Sequence, residues 1–194
     1  LLVGGALPQS EVDRILGAYD VVSDANDPEL VFAISQLINN NEGNIDGIEI
    51  AWQHFFGETG FGVQANYTMV NGDVGLDPGS NPYEEQFALL GLSDTANLTA
   101  IYEKYGFSAR LAYNWRDTFL NESNAGGDRS GIYVEDFGQY DLNISYDINE
   151  QLAVSFEGIN LTGEDQRIYH RVPEQVYYVY ELSPRYQLGV RYKF

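Results

Sequence analysis

The chain has 194 residues, with 20 Gly, 15 Tyr, 10 Phe and no Cys, and its ten Lys+Arg against 29 Asp+Glu give a net charge of −19. The absence of Cys excludes a disulfide-stapled domain, thiolate chemistry and cysteine-ligated metals. A chain this acidic repels phosphate backbones, so nucleic acid is excluded as an expected partner. No run of 18 apolar residues exists, so no transmembrane helix is expected; a mean hydropathy of −0.29 still suits barrel strands, which average an apolar and a polar face. The opening Leu1-Leu2-Val3-Gly4-Gly5 has no initiator Met and no basic signal region, and reads as a cut inside a larger protein.

Residues 1–43 read as an outer loop segment with two short helices. Ser10-Glu11-Val12-Asp13 resembles a capping box ahead of Ile15, Leu16 and Tyr19. Asp27-Pro28-Glu29 sets a cap before Pro at the first helical position, with Leu30, Val31, Ile34, Leu37 and Ile38 at helical spacing. From residue 44 onward the pattern has period two. Ile48, Ile50 and Trp52 alternate with Glu49, Ala51 and Gln53 over 45–56, and Gly57-Glu58-Thr59-Gly60 turns the chain back. Phe61, Val63, Ala65, Tyr67 and Met69 alternate with Gly62, Gln64, Asn66 and Thr68, followed by a long polar loop over 72–86. A third strand covers 92–103, Lys104-Tyr105-Gly106 is a tight turn, and Phe107, Ala109, Leu111, Tyr113 and Trp115 make the fourth strand's apolar face.

A second long loop runs over 117–134. Tyr140, Leu142, Ile144, Tyr146 and Ile148 then face away from Asp141, Asn143, Ser145 and Asp147. Asn149-Glu150 makes a two-residue reversal into Leu152, Val154 and Phe156, whose phase slips near Gly158 as if at a bulge. A third long loop, 162–176, leads to the last strand. There Tyr186, Leu188, Val190, Tyr192 and Phe194 oppose Gln187, Gly189, Arg191 and Lys193.

These residues describe an all-β chain of about seven antiparallel strands, with tight turns at one end and long loops at the other. That asymmetry belongs to transmembrane barrels, and the strands are long enough to cross a bilayer when tilted. Phe55, Phe56 and Phe61, then Tyr102, Tyr105 and Phe107, then Tyr146, Tyr192 and Phe194 gather near the tight turns, where they would form an interfacial aromatic girdle. The lumen-facing candidates are Gln64, Asn66, Arg110, Arg116, Asp141, Asn143, Glu157 and Arg191. Binding residues concentrate on long loops over a rigid scaffold, which makes Tyr83, Phe119, Tyr133 and Tyr169 the ligand-contact candidates.

Several segments occur in an order that resembles the C-terminal barrel strands of TonB-dependent outer-membrane receptors. They are Gly47-Ile48-Glu49-Ile50, Gly62-Val63-Gln64-Ala65-Asn66-Tyr67-Thr68, Tyr113-Asn114-Trp115-Arg116, Tyr140-Asp141-Leu142-Asn143, Asn160-Leu161-Thr162 and the ending from Leu188 to Phe194. The resemblance covers residues 44–194, and residues 1–43 match nothing in it. It implies about the last seven strands of a 22-stranded barrel plugged by an N-terminal domain. It also implies energised uptake of a siderophore, cobalamin or oligosaccharide from the bacterial outer membrane. The expected partners are outer-membrane lipid, the receptor's own plug domain, the TonB complex acting through an N-terminal box, the barrel-assembly machinery and a small-molecule substrate. Leu188, Val190, Tyr192 and Phe194 would be the assembly signal.

No catalytic constellation appears: there is no Gly-x-Ser-x-Gly elbow, phosphate loop or paired metal-binding His, and His54 and His170 stand far apart. No enzyme activity, metal or cofactor is therefore expected. A passive porin-type barrel and a soluble β-rich carbohydrate-binding module are the alternatives. In the soluble module the Phe107 to Trp115 face would lie in a core.

Overall fold

A computed structural model of the chain describes residues 8–19, 41–81, 84–125 and 130–194. The chain divides into two units, 1–40 and 41–194. In the first, α1 spans Gln9–Tyr19. Its first turn is closed by the Pro8 carbonyl, which accepts from the Glu11 and Val12 amides at 2.8 and 3.2 Å. Ser10 thus lies inside the helix and the expected capping box does not form. The turn is held instead by a Glu11–Arg14 ion pair at 2.7 Å and by Gln9 donating to Asp13 at 2.9 Å. The helix expected over 27–38 lies outside the described residues.

The second unit contains β1 (Ile45–Phe55), β2 (Phe61–Gly72), β3 (Thr95–Lys104), β4 (Phe107–Arg116), β5 (Phe119–Ala125), β6 (Ser130–Val134), β7 (Phe137–Asp147), β8 (Leu152–Ile159), β9 (Gln166–His170), β10 (Val176–Tyr180) and β11 (Arg185–Tyr192). Seven of them form one antiparallel wall in the order β1-β2-β3-β4-β7-β8-β11. Its registers run without a shift, so the period-two pattern of each strand lines up with that of its neighbours. Ile50 faces Tyr67, Leu98 faces Tyr113, Leu111 faces Leu142, and Phe156 faces Leu188, all on one face. These registers leave one continuous apolar face and one continuous polar face.

The three short turns gather at one end of the wall. The first is a 3₁₀ turn at Gly57–Thr59, closed by Gly60 at φ 88°. In the second, Tyr105 and Gly106 both have positive φ (57° and 75°), the requirement of a two-residue hairpin turn twisted to match its strands. The third is longer than the expected two-residue reversal. Ile148 donates to the Leu152 carbonyl at 2.9 Å, while the Asn149 side chain accepts from the Gln151 and Leu152 amides, both at 2.9 Å.

Two further expectations are corrected. No bulge interrupts β8, which pairs without a slip until it ends at Ile159. The phase changes because Asn160 turns left-handed at φ 54°. The second and third long loops are not irregular throughout, since they contain β5, β6 and β9, and a further unexpected strand, β10, begins where the third was expected to end. These pair as a four-stranded sheet in the order β10-β9-β6-β5. Beside them in sequence stand β11, β8, β7 and β4, so the outer sheet follows the last four wall strands in the same order. The buried cluster of Ala125, Ile132, Val134 and Ile168, with Phe119 packed on it, belongs to this outer sheet.

Candidate functional site

The wall's apolar face is not a core. Ile50 is 62% exposed, Leu98 51%, Leu111 43% and Leu188 83%, and no second layer covers them among the described residues. A soluble sandwich would bury this surface, whereas a contiguous exposed apolar face of this extent calls for a lipid or protein partner. Aromatics line both margins. At the short-turn end the Phe61 and Tyr102 rings lie 4.7 Å apart, Tyr102 and Phe107 5.9 Å, and Tyr192 and Phe194 5.2 Å. His54 sits in this margin between Trp52 and Phe56. Phe55 does not join it: it lies on the polar face, over Gly62, where an added Cβ would come within 2.6 Å of its ring. The other margin holds Tyr67, Trp115, Tyr186 and a Tyr113–Tyr140 pair at 4.6 Å. From Phe107 to Trp115 the margins are about 27 Å apart along the strand, or about 21 Å along the normal at a barrel strand's tilt of roughly 40°, somewhat under the ~25 Å of an apolar barrel band.

The polar face carries all the lumen-facing candidates. Asn66 accepts from Asn97 at 2.7 Å, and Gln64 pairs in register with Gln53 and Thr99. Arg110 forms an ion pair with Glu103 at 2.9 Å, facing Asn143, which in turn faces Glu157. Arg191 reaches Asp147 at 3.4 Å. Asp141 accepts from Gln139 at 2.6 Å and from the Asn160 amide at 2.9 Å. Arg116 leaves the wall: it donates to the Gly91 carbonyl and to Ser93, both at 2.7 Å, with its guanidinium 3.7 Å from the Phe119 ring centroid. Two ion pairs, Arg110–Glu103 and Arg191–Asp147, and a set of neutral hydrogen bonds thus lie along the polar face.

At the long-connection end the structure brings together two of the four ligand-contact candidates. Tyr133 and Tyr169 are opposite each other in β6 and β9, with rings stacked at 5.3 Å and 11°. Burial pushes both phenols above the usual tyrosine value. Phe119 faces the other way, into the buried cluster under Arg116. Tyr83 lies outside the described residues. The connection between β2 and β3 folds back on the outer sheet. Gly91 donates to the Leu120 carbonyl at 2.8 Å, and Leu76 seats against Gly131, which leaves no room for a side chain there. At its start, Asn44 donates twice to Asp73, at 2.8 Å from its amide and 2.6 Å from its side chain, and these bonds hold the Asp73 carboxyl below the usual range. Exposed Val176, Tyr177, Tyr178, Val179 and Tyr180 make β10 an aromatic edge.

Leu188, Val190 and Tyr192 lie on the apolar face opposite Phe156, Val154 and Leu152, and Phe194 follows at the short-turn end. No three His, Cys, Asp or Glu side chains converge on a metal-sized space among the described residues.

Sequence reasoning missed the residues that fasten this end. Buried Asn160 donates to the Glu164 and Leu182 carbonyls at 3.0 and 2.6 Å and accepts from the Glu164 amide at 2.9 Å, so it ties the end of β8 to the β10–β11 connection. Arg167 pairs with Glu135 at 2.6 Å. Arg171 and Asn124 grip the β2–β3 connection. Asn in a left-handed turn is a readable signal at positions 124 and 160, but nothing in the spacing marks Arg167 or Arg171.

The sequence matches the family described as "TonB dependent receptor-like, beta-barrel" over residues 5–161. That range includes most of residues 1–43, which the sequence reading had left outside the resemblance, and it stops before β11. No curated protein and no solved structure matches the chain significantly. The seven-stranded antiparallel wall and the extent of the match agree: the chain belongs to the β-barrel family of TonB-dependent receptors, outer-membrane proteins of Gram-negative bacteria that act in transport rather than catalysis.

Proposed function

We propose that the chain is part of the barrel of a receptor for energised uptake of a scarce nutrient, of the siderophore, cobalamin or oligosaccharide class. In this reading the wall supplies seven strands of a plugged 22-stranded barrel. Residues 1–43 belong to an outer loop and 44–194 to the barrel, with the boundary close to the division at residue 40. The apolar face meets lipid, and the polar face meets the plug and a hydrated lumen. The long-connection end is extracellular and recognises substrate through its tyrosines. The observation that carries the reading is the unbroken apolar face of a family barrel wall whose short turns all lie at one end.

The partners follow from that placement. Lipid covers the apolar face. The assembly machinery reads the Leu188 to Phe194 ending, and the TonB complex acts through an N-terminal box ahead of the plug. The test is uptake by cells bearing the full-length protein, with a panel of labelled ferric siderophores, cobalamin and oligosaccharides. Accumulation of one panel member should collapse when the TonB complex is deleted. Entry that persists without that complex and rises linearly with outside concentration would make the barrel a passive pore.

A further inference from the structure

Two residues at the long-connection end share an unusual pair of properties. Asn124 and Arg171 are non-glycine residues with left-handed backbones, each at φ 56°. Such a backbone is disfavoured for a residue with a side chain and persists only where its surroundings hold it. Both side chains end on the same distant stretch. Asn124 accepts from the Gln86 amide at 3.1 Å and donates to the Gln86 carbonyl at 3.0 Å. Arg171 donates to the Pro78 and Ser80 carbonyls at 2.5 and 2.9 Å, across 93 and 91 residues of sequence. The Arg171 amide also donates to the Gly131 carbonyl at 2.9 Å, which joins the β9–β10 turn to β6. The seam among Leu76, Gln86, Tyr133 and Arg171 encloses only about 20 Å³, room for roughly one water.

Each of the three long connections (73–94, 117–136 and 160–184) is thereby tied to the other two. We propose that Arg171 and Asn124 are positioning residues that lock these connections into one recognition unit, so that ligand preference belongs to the unit and to no single connection. The locking stands on geometry, and only its consequence for preference rests on the uptake reading. The chain has no Cys, and a Cβ at Gly75 meets nothing within 4 Å, so a single nitroxide label at Gly75→Cys reports on the β2–β3 connection without disturbing it.

In the full-length protein this label should show only the local motion of a side chain on an ordered backbone, and should gain mobility severalfold in Arg171→Ala and in Asn124→Ala. Arg171→Lys, which reaches one carbonyl and not both, should fall between. Tyr180→Phe, in the same sheet but off the seam, should change nothing. Equal mobility in all variants would overturn the locking. The second readout is growth on the nutrient panel after exchange with a relative's connections. Exchange of 73–94 alone should lose the native preference without acquiring the relative's, and exchange of all three should transfer it. Transfer by the single exchange would overturn the unit. Gain of label mobility with no TonB-dependent uptake of any nutrient would sustain the locking and refute the uptake reading alone.

Discussion

Leu111 stands at the middle of β4 on the apolar face, opposite Ala100 and Leu142, and Ala112 is its immediate neighbour on the polar face. Leu111→Arg should cost about 2–4 kcal/mol, the penalty for a cation at the bilayer midplane, since in the proposed arrangement lipid covers that face. Ala112→Arg puts the same charge beside Asp141 and should cost far less. Unfolding of the two full-length variants in liposomes makes the comparison, and equal penalties would mean the faces do not meet different solvents. Asn160 offers a second test. Asn160→Ala removes its partners' hydrogen bonds and forces a left-handed alanine, at a cost of roughly 2–4 kcal/mol. Asn160→Gly loses the same bonds but relieves the backbone, so it should be milder by about 1 kcal/mol. Tyr133 and Tyr169 carry a pH dependence. Burial raises their pKa, so the folded outer sheet favours the neutral phenols. That contribution is fully present below the ordinary tyrosine value near 10 and is lost as pH rises through the folded value. Ultraviolet difference titration of the protein against Tyr133→Phe should show an ionisation delayed beyond that of exposed tyrosines.

At the scale of elements, the wall strands were legible and the outer ones were not, for a physical reason. The wall strands are eight to twelve residues long and alternate strictly between an apolar and a polar face; the five apolar residues expected in the fourth strand all lie in β4. The outer strands β5, β6, β9 and β10 are five to seven residues long, and their registers shift at Leu120/Glu122, Glu122/Ala125 and Val176/Tyr178. Irregular pairing erases the period that would reveal them. Closeness to a turn does not bring Phe55 into the apolar margin, because its parity in β1 assigns it to the polar face. Arg171 was invisible because its partners lie more than 90 residues away. The last element also carries a prediction. β11 ends on Tyr192, and Phe194 follows at the short-turn end, where an assembly signal would be read. Deleting Phe194 from the full-length protein should lower the folded amount in the outer membrane, as measured by heat-modifiable mobility, and leave ligand affinity of the folded fraction intact. Normal levels with lost binding would contradict that role.

For the whole molecule, the faces, turns and family agree on one arrangement. In the proposed arrangement a barrel wall separates lipid from a hydrated lumen, with its short turns at one end and a tyrosine-rich outer sheet at the other. Everything proposed about uptake depends on which solvent each face of the wall meets. Because the chain lacks Cys, single cysteines can be placed at each position of β4 in the full-length protein, labelled with nitroxide in bilayers and probed with lipid-soluble oxygen and a water-soluble nickel chelate. Odd positions from Phe107 to Trp115 should be oxygen-accessible and chelate-protected, and even positions from Ser108 to Arg116 should show the reverse, with a period of two. Equal accessibility along the strand, or protection of the odd positions from both probes as in a packed core, would contradict the membrane wall.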